Sequence, residues 1–356
     1  MAWIFQNAFN SFEKYRDSWD AINAACGNHV LLDGAFVGSL VRHFASQTTL
    51  LGISHDQKSP AMILLDKARP GLWETFQPSQ GPLGLVVFRN SDDVECQVAE
   101  LIRCLPGFSL GLSILQQDPD FTTFGNLEYS RTAENVDYSA TSRLSVSGDF
   151  EKYWKATGRY FVDDLRRQSR RLDDQSIRME FVVERDPGKV AECIRDYARL
   201  EATGWKGKEG SAVTTENRQA LFYRDVMENF CGRGEGVIYR LLFNEKVVAS
   251  DLCLERGGMT VVLKIAYDES FKGLSPGKFI HREILKHLFA DEKSNILEWY
   301  GRVHEWQRKL GSCPRTMFHL NFYRSEWVSV ARRAIKVAQR ILNRNGLCEA
   351  KMHEQG

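Results

Sequence analysis

Residues 259–278 read Met-Thr-Val-Val-Leu-Lys-Ile-Ala-Tyr-Asp-Glu-Ser-Phe-Lys-Gly-Leu-Ser-Pro-Gly-Lys. The run rich in β-branched residues from Met259 to Ala266 predicts a buried strand, and Ser275-Pro276-Gly277 predicts the start of a helix that continues to about residue 290. Ser275 is suited to capping the first free N–H groups, Pro276 to the first helical position, and Gly277 to letting a ligand approach bare backbone. A phosphate fits such a mouth. Lys278 puts a cation in the first turn, where it opposes the helix dipole; either an anion is bound beside it or it is the exposed lysine of an ordinary helix start.

Upstream of this unit, 149–174 reads as one long charged helix in which Arg166, Arg167, Arg170 and Arg171 lie along one side. They can grip phosphates, or pair with Asp163, Asp164, Asp173 and Asp174. A strand at 177–184, helices at 188–201 and 216–231, and strands at 236–243 and 246–255 lead to the quoted strand; a strand at 295–300 and a short helix at 304–310 follow its helix. Residues 28–150 also alternate. A helix at 36–44 and strands at 48–54, 61–65 and 83–88 precede a helix at 91–104 and a strand at 107–115. Residues 118–148 are rich in Thr, Ser and Asn and are read as the inter-domain connection.

The chain has 356 residues, more than one core usually serves, and its 43% hydrophobic and 26% charged residues with a net charge of +1 describe an ordinary globular protein without a protein-wide nucleic-acid footprint. DNA binding is not expected. The eight cysteines include no Cys-x-x-Cys pair and no zinc spacing, so free thiols in a reducing cytoplasm and no metal are expected. Neither an export signal nor an apolar stretch long enough to span a membrane is evident. In the tail, Trp327, Ala331, Ala334, Ile335, Ala338, Ile341 and Leu342 share one helical face opposite Arg332, Arg333, Lys336, Arg340 and Arg344. Such a helix can lie on an anionic membrane, dock a partner or pack on its own domain.

The element order β, α, α, β, β, β, α, β resembles the GNAT acyltransferase superfamily, and more narrowly the CelD-type acetyltransferase domain and its relatives, the Fem-type aminoacyl transferases, which carry two GNAT-like domains in tandem. Four stretches carry the resemblance. Asp164-Leu-Arg-Arg-Gln-Ser-Arg-Arg-Leu172 resembles the family's arginine-rich helix, and Leu200-Glu-Ala-Thr-Gly-Trp-Lys-Gly-Lys-Glu-Gly210 its Trp-Lys-Gly motif. Lys264-Ile-Ala-Tyr-Asp-Glu-Ser-Phe-Lys-Gly-Leu-Ser-Pro-Gly277 resembles the Tyr-Asp-x-x-Phe…Ser-Pro-Gly segment. Glu298-Trp-Tyr-Gly-Arg-Val-His-Glu-Trp-Gln307 keeps the spacing of a motif that ends in Tyr-Lys, with Trp306 and Gln307 in those places, so the lysine's role is lost or moves to Arg308 or Lys309. The usual glycine loop for the coenzyme A pyrophosphate is absent.

The resemblance implies an α/β (α+β) fold of tandem GNAT-like domains, each a mixed, mostly antiparallel sheet flanked by helices. It places a degenerate domain at 1–148, the acyltransferase domain at 149–320 and a basic amphipathic tail at 321–356. It implies coenzyme A, as acetyl- or acyl-donor, held along Val262, Leu263, Lys264, Ile265 and Ala266 and at Ser275, Pro276, Gly277 and Lys278. Transfer to an amine needs a base, an oxyanion site and a proton for the thiolate. Asp268, with its pKa raised beside an apolar strand, is the first candidate base, and Glu201 and Tyr267 are further catalytic candidates; capping the turn at 267–273 is the structural alternative for Asp268. Trp205, Lys206, Gly207, Glu298 and Tyr300 are candidates for acceptor binding, and His281 and His304 for further bases. The expected acceptor is a small-molecule amine or amino sugar of polysaccharide or secondary-metabolite biosynthesis. Two alternatives remain: a Fem-type enzyme that takes its aminoacyl group from tRNA, and a GNAT-like binding protein without catalysis.

Overall fold

Strands and helices run through the chain twice in nearly the same order. The computed structural model describes residues 3–56, 58–89, 94–122, 130–157, 159–203, 217–291 and 293–335. The first pass is β1 (Trp3–Asn7), α1 (Ala8–Ala25), α2 (Gly34–Phe44), β2 (Leu50–Ser54), β3 (Ala61–Arg69), β4 (Leu72–Thr75), β5 (Val86–Phe88), α3 (Val94–Cys104), β6 (Gly111–Gln117) and β7 (Ala133–Ser145). After α4 (Phe150–Ala156) and α5 (Arg159–Asp174), the second pass is β8 (Met179–Glu184), α6 (Val190–Thr203), α7 (Arg218–Gly232), β9 (Gly236–Phe243), β10 (Lys246–Arg256), β11 (Met259–Tyr267), α8 (Pro276–Asp291), β12 (Ile296–Trp299), α9 (Glu305–Lys309) and β13 (Cys313–Tyr323). Residues 326–335 are helical, and Trp327 there is 84% exposed.

Local chemistry sets these boundaries. The side chains of Asn7 and Asn217 accept the N–H groups of Asn10 and Ala220 at 3.0 and 2.9 Å, which starts α1 and α7. Asn244-Glu245 (φ 47° and 68°) and Gly257-Gly258 (φ 58° and 78°) turn left-handed at both central positions, which matches the twist of the β9–β10 and β10–β11 hairpins. Side chains alternate along β10, with Leu252 and Leu254 in the core under α1, α2, α6 and α7, and Cys253 in the core under α4, α5 and α8. The first of these cores runs across both halves; Phe36 of α2 meets Phe222 of α7 edge-on at 5.6 Å.

All thirteen strands form one sheet, in the order β1-β2-β3-β4-β6-β13-β7-β12-β11-β10-β9-β8, with β5 on β3. The sheet is mixed and mostly antiparallel, as expected; β4 with β6 and β11 with β12 are its parallel neighbours. These two pairs hold equivalent places in the two passes. The last strands of the passes are exchanged: β13 lies between β6 and β7, and β7 lies against β12.

The connection expected at 118–148 therefore contains β7, a thirteen-residue strand near the middle of the sheet. Ser139 and Thr141 pair with β13, Ser145 with β12 and Ser142 with both, and polar composition concealed the strand. The strand β13 was likewise not expected. The single helix expected over 149–174 is two, because Thr157 takes an extended conformation (ψ 136°) after α4. Among the described residues, no helix is long and apolar enough to cross a membrane.

The exchange brings charged side chains together at the seam. Arg315 donates to Asp118 and, at 2.7 Å, to Glu298; Arg143 donates to Glu298 at 2.8 Å and to Asp120 at 2.6 Å. Burial pushes the Asp118 carboxyl up, but the bond and charge of Arg315 and the Tyr300 hydroxyl outweigh it and hold the pKa low. At Glu298, which is fully buried, burial wins over Arg315 and Arg143 and the pKa is raised. Tyr300 donates to Asp118 at 2.6 Å, so its oxygen is free to accept from His29 Nε2 at 2.7 Å, while His29 Nδ1 accepts the Leu31 N–H. This chain fixes the tautomer of a neutral imidazole.

Burial lowers the His29 pKa from 6.5 to about 3. Between those values the unfolded chain binds the extra proton, so the stability contributed by neutral His29 is complete above 6.5 and is lost as pH falls toward 3. Unfolding free energy measured against pH should fall more steeply in this window for the native protein than for His29→Gln, by up to about 1.4 kcal/mol per pH unit. Equal slopes would contradict the buried neutral histidine.

Candidate active site

The parallel pairing of β11 with β12 lasts only for Met259–Val261 opposite Ile296–Glu298. Beyond it β12 stays paired with β7 through Trp299, while β11 continues along β10 as far as Tyr267. The register against β10 shifts so that Leu252 faces Lys264 and Cys253 faces Val262, leaving Leu263 as the extra residue of a bulge. Among the described residues, no strand covers the β12-facing edge of β11 from Val262 to Tyr267. The five residues expected to line a donor thus do lie on an open strand edge.

Two cavities flank this edge. One, about 470 Å³, lies at the mouth of α8 and is walled by Ile265, Tyr267, Pro276, His281 and Trp306. The other, about 980 Å³, lies at the seam of the halves and is walled by Val262, Leu263, Lys264, Tyr223 and Tyr300 together with residues from 77–82, 138–140 and 301–308. Consecutive residues of β11 and of the 300–308 segment are divided between them, so both open onto the same stretch of backbone.

The helix mouth departs from its sequence reading. Ser275 is left-handed (φ 56°, ψ 46°), not in the extended conformation of a capping serine, and its carbonyl accepts the N–H groups of Lys278 and Phe279 at 3.0 and 3.2 Å. Pro276 has no N–H, so Gly277 supplies the first-turn donor left for an anion. The anion beside Lys278 belongs to the chain itself: Lys278 donates to Asp164 of α5, whose pKa is lowered, with burial opposing and the Lys278 bond and charge prevailing. Arg167 also pairs with Asp164, and Arg166 with Asp163 at 3.5 Å, so the arginine helix is partly paired along its own length. The apolar walls of the smaller cavity suit the arm of a thioester donor, whereas its phosphate end has only Gly277 N–H and the exposed Lys272.

Asp268 is buried but does not wall either cavity. It caps the turn that begins at Glu269, accepting from Ser270 N and Oγ at 3.0 and 2.6 Å and from Lys246 at 2.9 Å. Burial pushes its pKa up, but these bonds outweigh it and the net shift is down. The expected raised pKa is corrected on this point. Glu201, on α6, is also buried; it lies 3.6 Å from Lys264 Nζ and accepts from Tyr197 at 3.3 Å. Tyr197 also reaches the Ile265 carbonyl at 3.2 Å, tying α6 to the open strand. Burial, and then the charge of Glu269, raise the pKa of Tyr267, which keeps its proton at neutral pH.

Glu298 and Tyr300 sit in the seam, and Tyr300 also walls the larger cavity. His281 stacks on Trp306 at 4.3 Å beside the smaller cavity, and His304 starts α9. Gln307, which replaces the family's lysine, is buried and accepts the His304 N–H; Lys309 pairs with Glu305 at 2.9 Å, and Arg308 faces the larger cavity. Trp205, Lys206 and Gly207 lie outside the described residues, as does the tail from 336. Sequence reading missed Tyr197, one helical turn from Glu201, and Gln77, Gln116 and Tyr138 of the first half, which no local motif marks.

A family model for the acetyltransferase (GNAT) domain matches residues 159–308. This segment is a GNAT domain, set in an acyltransferase-type fold that continues through the first half of the chain. A conserved protein of unknown function from Bacteroides thetaiotaomicron has a similar structure (TM-score 0.54, 12% identity, 90% of this chain and 99% of that one covered). So does the C-terminal domain of a protein from Agrobacterium fabrum assigned as a lysylphosphatidylglycerol synthetase (0.51, 11%, 89% and 96%), and so does FemX (0.50, 9%, 77% and 87%). At these identities the likeness is one of fold. No curated protein matches the chain.

The cap assigned to Asp268 predicts that Asp268→Ala lowers stability to chemical denaturation by about 1 kcal/mol, and Asp268→Asn, which can still accept from Ser270, by less. Stability unchanged by the alanine would contradict the cap.

Proposed function

We propose that the protein is an N-acyltransferase that moves an acyl group, such as acetyl, from coenzyme A to the amine of a small molecule or amino sugar in polysaccharide or secondary-metabolite biosynthesis. The observation that supports this most is the open edge of β11 between an apolar cavity and a polar one, inside a GNAT domain. Coenzyme A would supply the activated thioester. Ile265, Tyr267, Pro276 and Trp306 would hold its arm, with Lys272 and Gly277 N–H at the phosphate end.

The backbone of Val262–Ala266 offers N–H groups where the carbonyl oxygen gathers charge. Glu201 walls neither cavity and acts through Lys264, which does: as the amine nitrogen bonds to the acyl carbon, its proton passes to Lys264 while Lys264 gives one to Glu201 behind it. Tyr267, held protonated, gives a proton to the sulfur as the carbon–sulfur bond breaks. Solvent returns the proton from Glu201 to Tyr267, so the net products are an amide and a free thiol.

Free thiol should appear when acetyl-coenzyme A and an acceptor amine are supplied without RNA. Glu201→Gln should lower kcat by about a hundredfold or more with donor KM little changed. Asp268→Asn should keep turnover within about threefold, since its carboxylate is committed to a turn. Product that forms only with aminoacyl-tRNA, and is lost steeply with salt, would overturn the coenzyme A reading in favour of a Fem-type transfer. That second reading is favoured by one observation, the commitment of Lys278 to Asp164 at the phosphate end.

A further inference from the structure

We infer that the larger cavity takes an acceptor that carries an anionic group and hydroxyls, with its amine toward Lys264 and its negative charge between Arg302 and Arg308. This rests on the proposal that the cavity is the acceptor site. The charge of the wall is the first ground: among the described residues, Lys264, Arg302 and Arg308 line it and no Asp or Glu does, in a chain with 47 basic and 46 acidic residues. Lys264 is matched by Glu201, whereas Arg302 and Arg308 are exposed and form no ion pair among the described residues. Two unmatched guanidinium groups at one mouth suit a phosphate or a carboxylate.

The second ground is independent of charge. Gln77 Nε2 donates to the carbonyls of Gly81 and Leu83 and to Gln116 Oε1. Two backbone acceptors at that end fix it as the nitrogen. Gln77 Oε1 is then a buried acceptor without a partner in the cavity wall. Such an atom is costly unless something donates to it, and a turn of the Gln77 side chain, which lines the cavity, would present it to a hydroxyl of a bound molecule. Its neighbour Gln116 is held left-handed at φ 46°, its N–H on His319 Nδ1 at 2.9 Å and its carbonyl accepting from Gly84 at 3.2 Å. A non-glycine residue pinned in this region stores strain of the kind that collects at ligand sites. Tyr138 completes the wall; its ring packs against His319 at 4.4 Å, tilted by 34°, and is half exposed, offering a face for a sugar ring.

This wall comes from the first half's own parallel pair. Residues 77–82 follow β4 and Gln116 lies near the end of β6, beyond the point where those strands pair. The divergence that opens β11 in the second half is thus matched by one in the first, and the cavity lies between the two.

The test is calorimetric titration of the full chain, without donor, using glucosamine, glucosamine 6-phosphate and the amino uronic acid of the same ring. At least one charged sugar should bind about tenfold or more tightly than glucosamine, as expected for charge-assisted bonds to arginine. A preference for the phosphate or for the carboxylate says which anion is meant. In the double variant Arg302→Gln/Arg308→Gln that advantage should fall below about threefold, because both residues are exposed and their loss removes charge without disturbing the core. Equal affinity for all three sugars, no binding of any at millimolar concentration, or an advantage that survives in the variant would overturn the inference. Charge-selective binding without thiol release would count against acyl transfer alone; thiol release indifferent to acceptor charge would count against this inference alone.

Discussion

Everything at the site depends on how briefly β11 and β12 pair. Three residues of parallel ladder hold the strands together; beyond them β12 stays on β7, and β11, bulged at Leu263, stays on β10. A sheet interior normally leaves no unpaired backbone. Here a row of main-chain groups is left facing a cavity, and α8 begins immediately after that strand and its turn. The chemistry proposed for the protein is mostly backbone chemistry, which is why changing side chains such as Asp268 should matter less than the geometry of the edge.

The seam supports that geometry. By exchanging β7 and β13, each half supplies a strand to the other's side of the sheet, so the walls of the larger cavity cannot separate without breaking two ladders. Asp118 and Glu298 are buried with it and Arg143 and Arg315 half-buried beside them, and such groups are tolerated inside a protein only when their charges and hydrogen bonds answer one another. The chain from His29 through Tyr300 to Asp118 adds a neutral link, and Tyr300 carries it to the cavity wall.

How much of this was legible depended on the kind of signal. The meander of β9, β10 and β11, α8 and β12 were all readable, because β-branched runs and a Pro-Gly helix start are local chemistry. Strands β7 and β13 were not, because their partners lie more than a hundred residues away and the composition of β7 is that of a loop. At the site, Val262–Ala266 was expected to line a donor only through the family resemblance. For Lys278 and Asp268 the choice between the readings was not legible for one shared reason: a charged residue's partner lies on another element, here Asp164 of α5 and Lys246 of β10, and spacing along the chain does not reveal it. Gln77 and Gln116 were invisible until the fold placed them opposite β11.

The central claim is that a thioester donor lies along the open edge of β11. Hydrogen–deuterium exchange of the full chain, with and without a saturating non-hydrolysable acyl-coenzyme A analogue, addresses it directly. The account predicts that amides within 262–266, and Gly277 at the helix mouth, gain protection when the analogue is present. Unchanged exchange in 262–266 while the analogue is bound would contradict it.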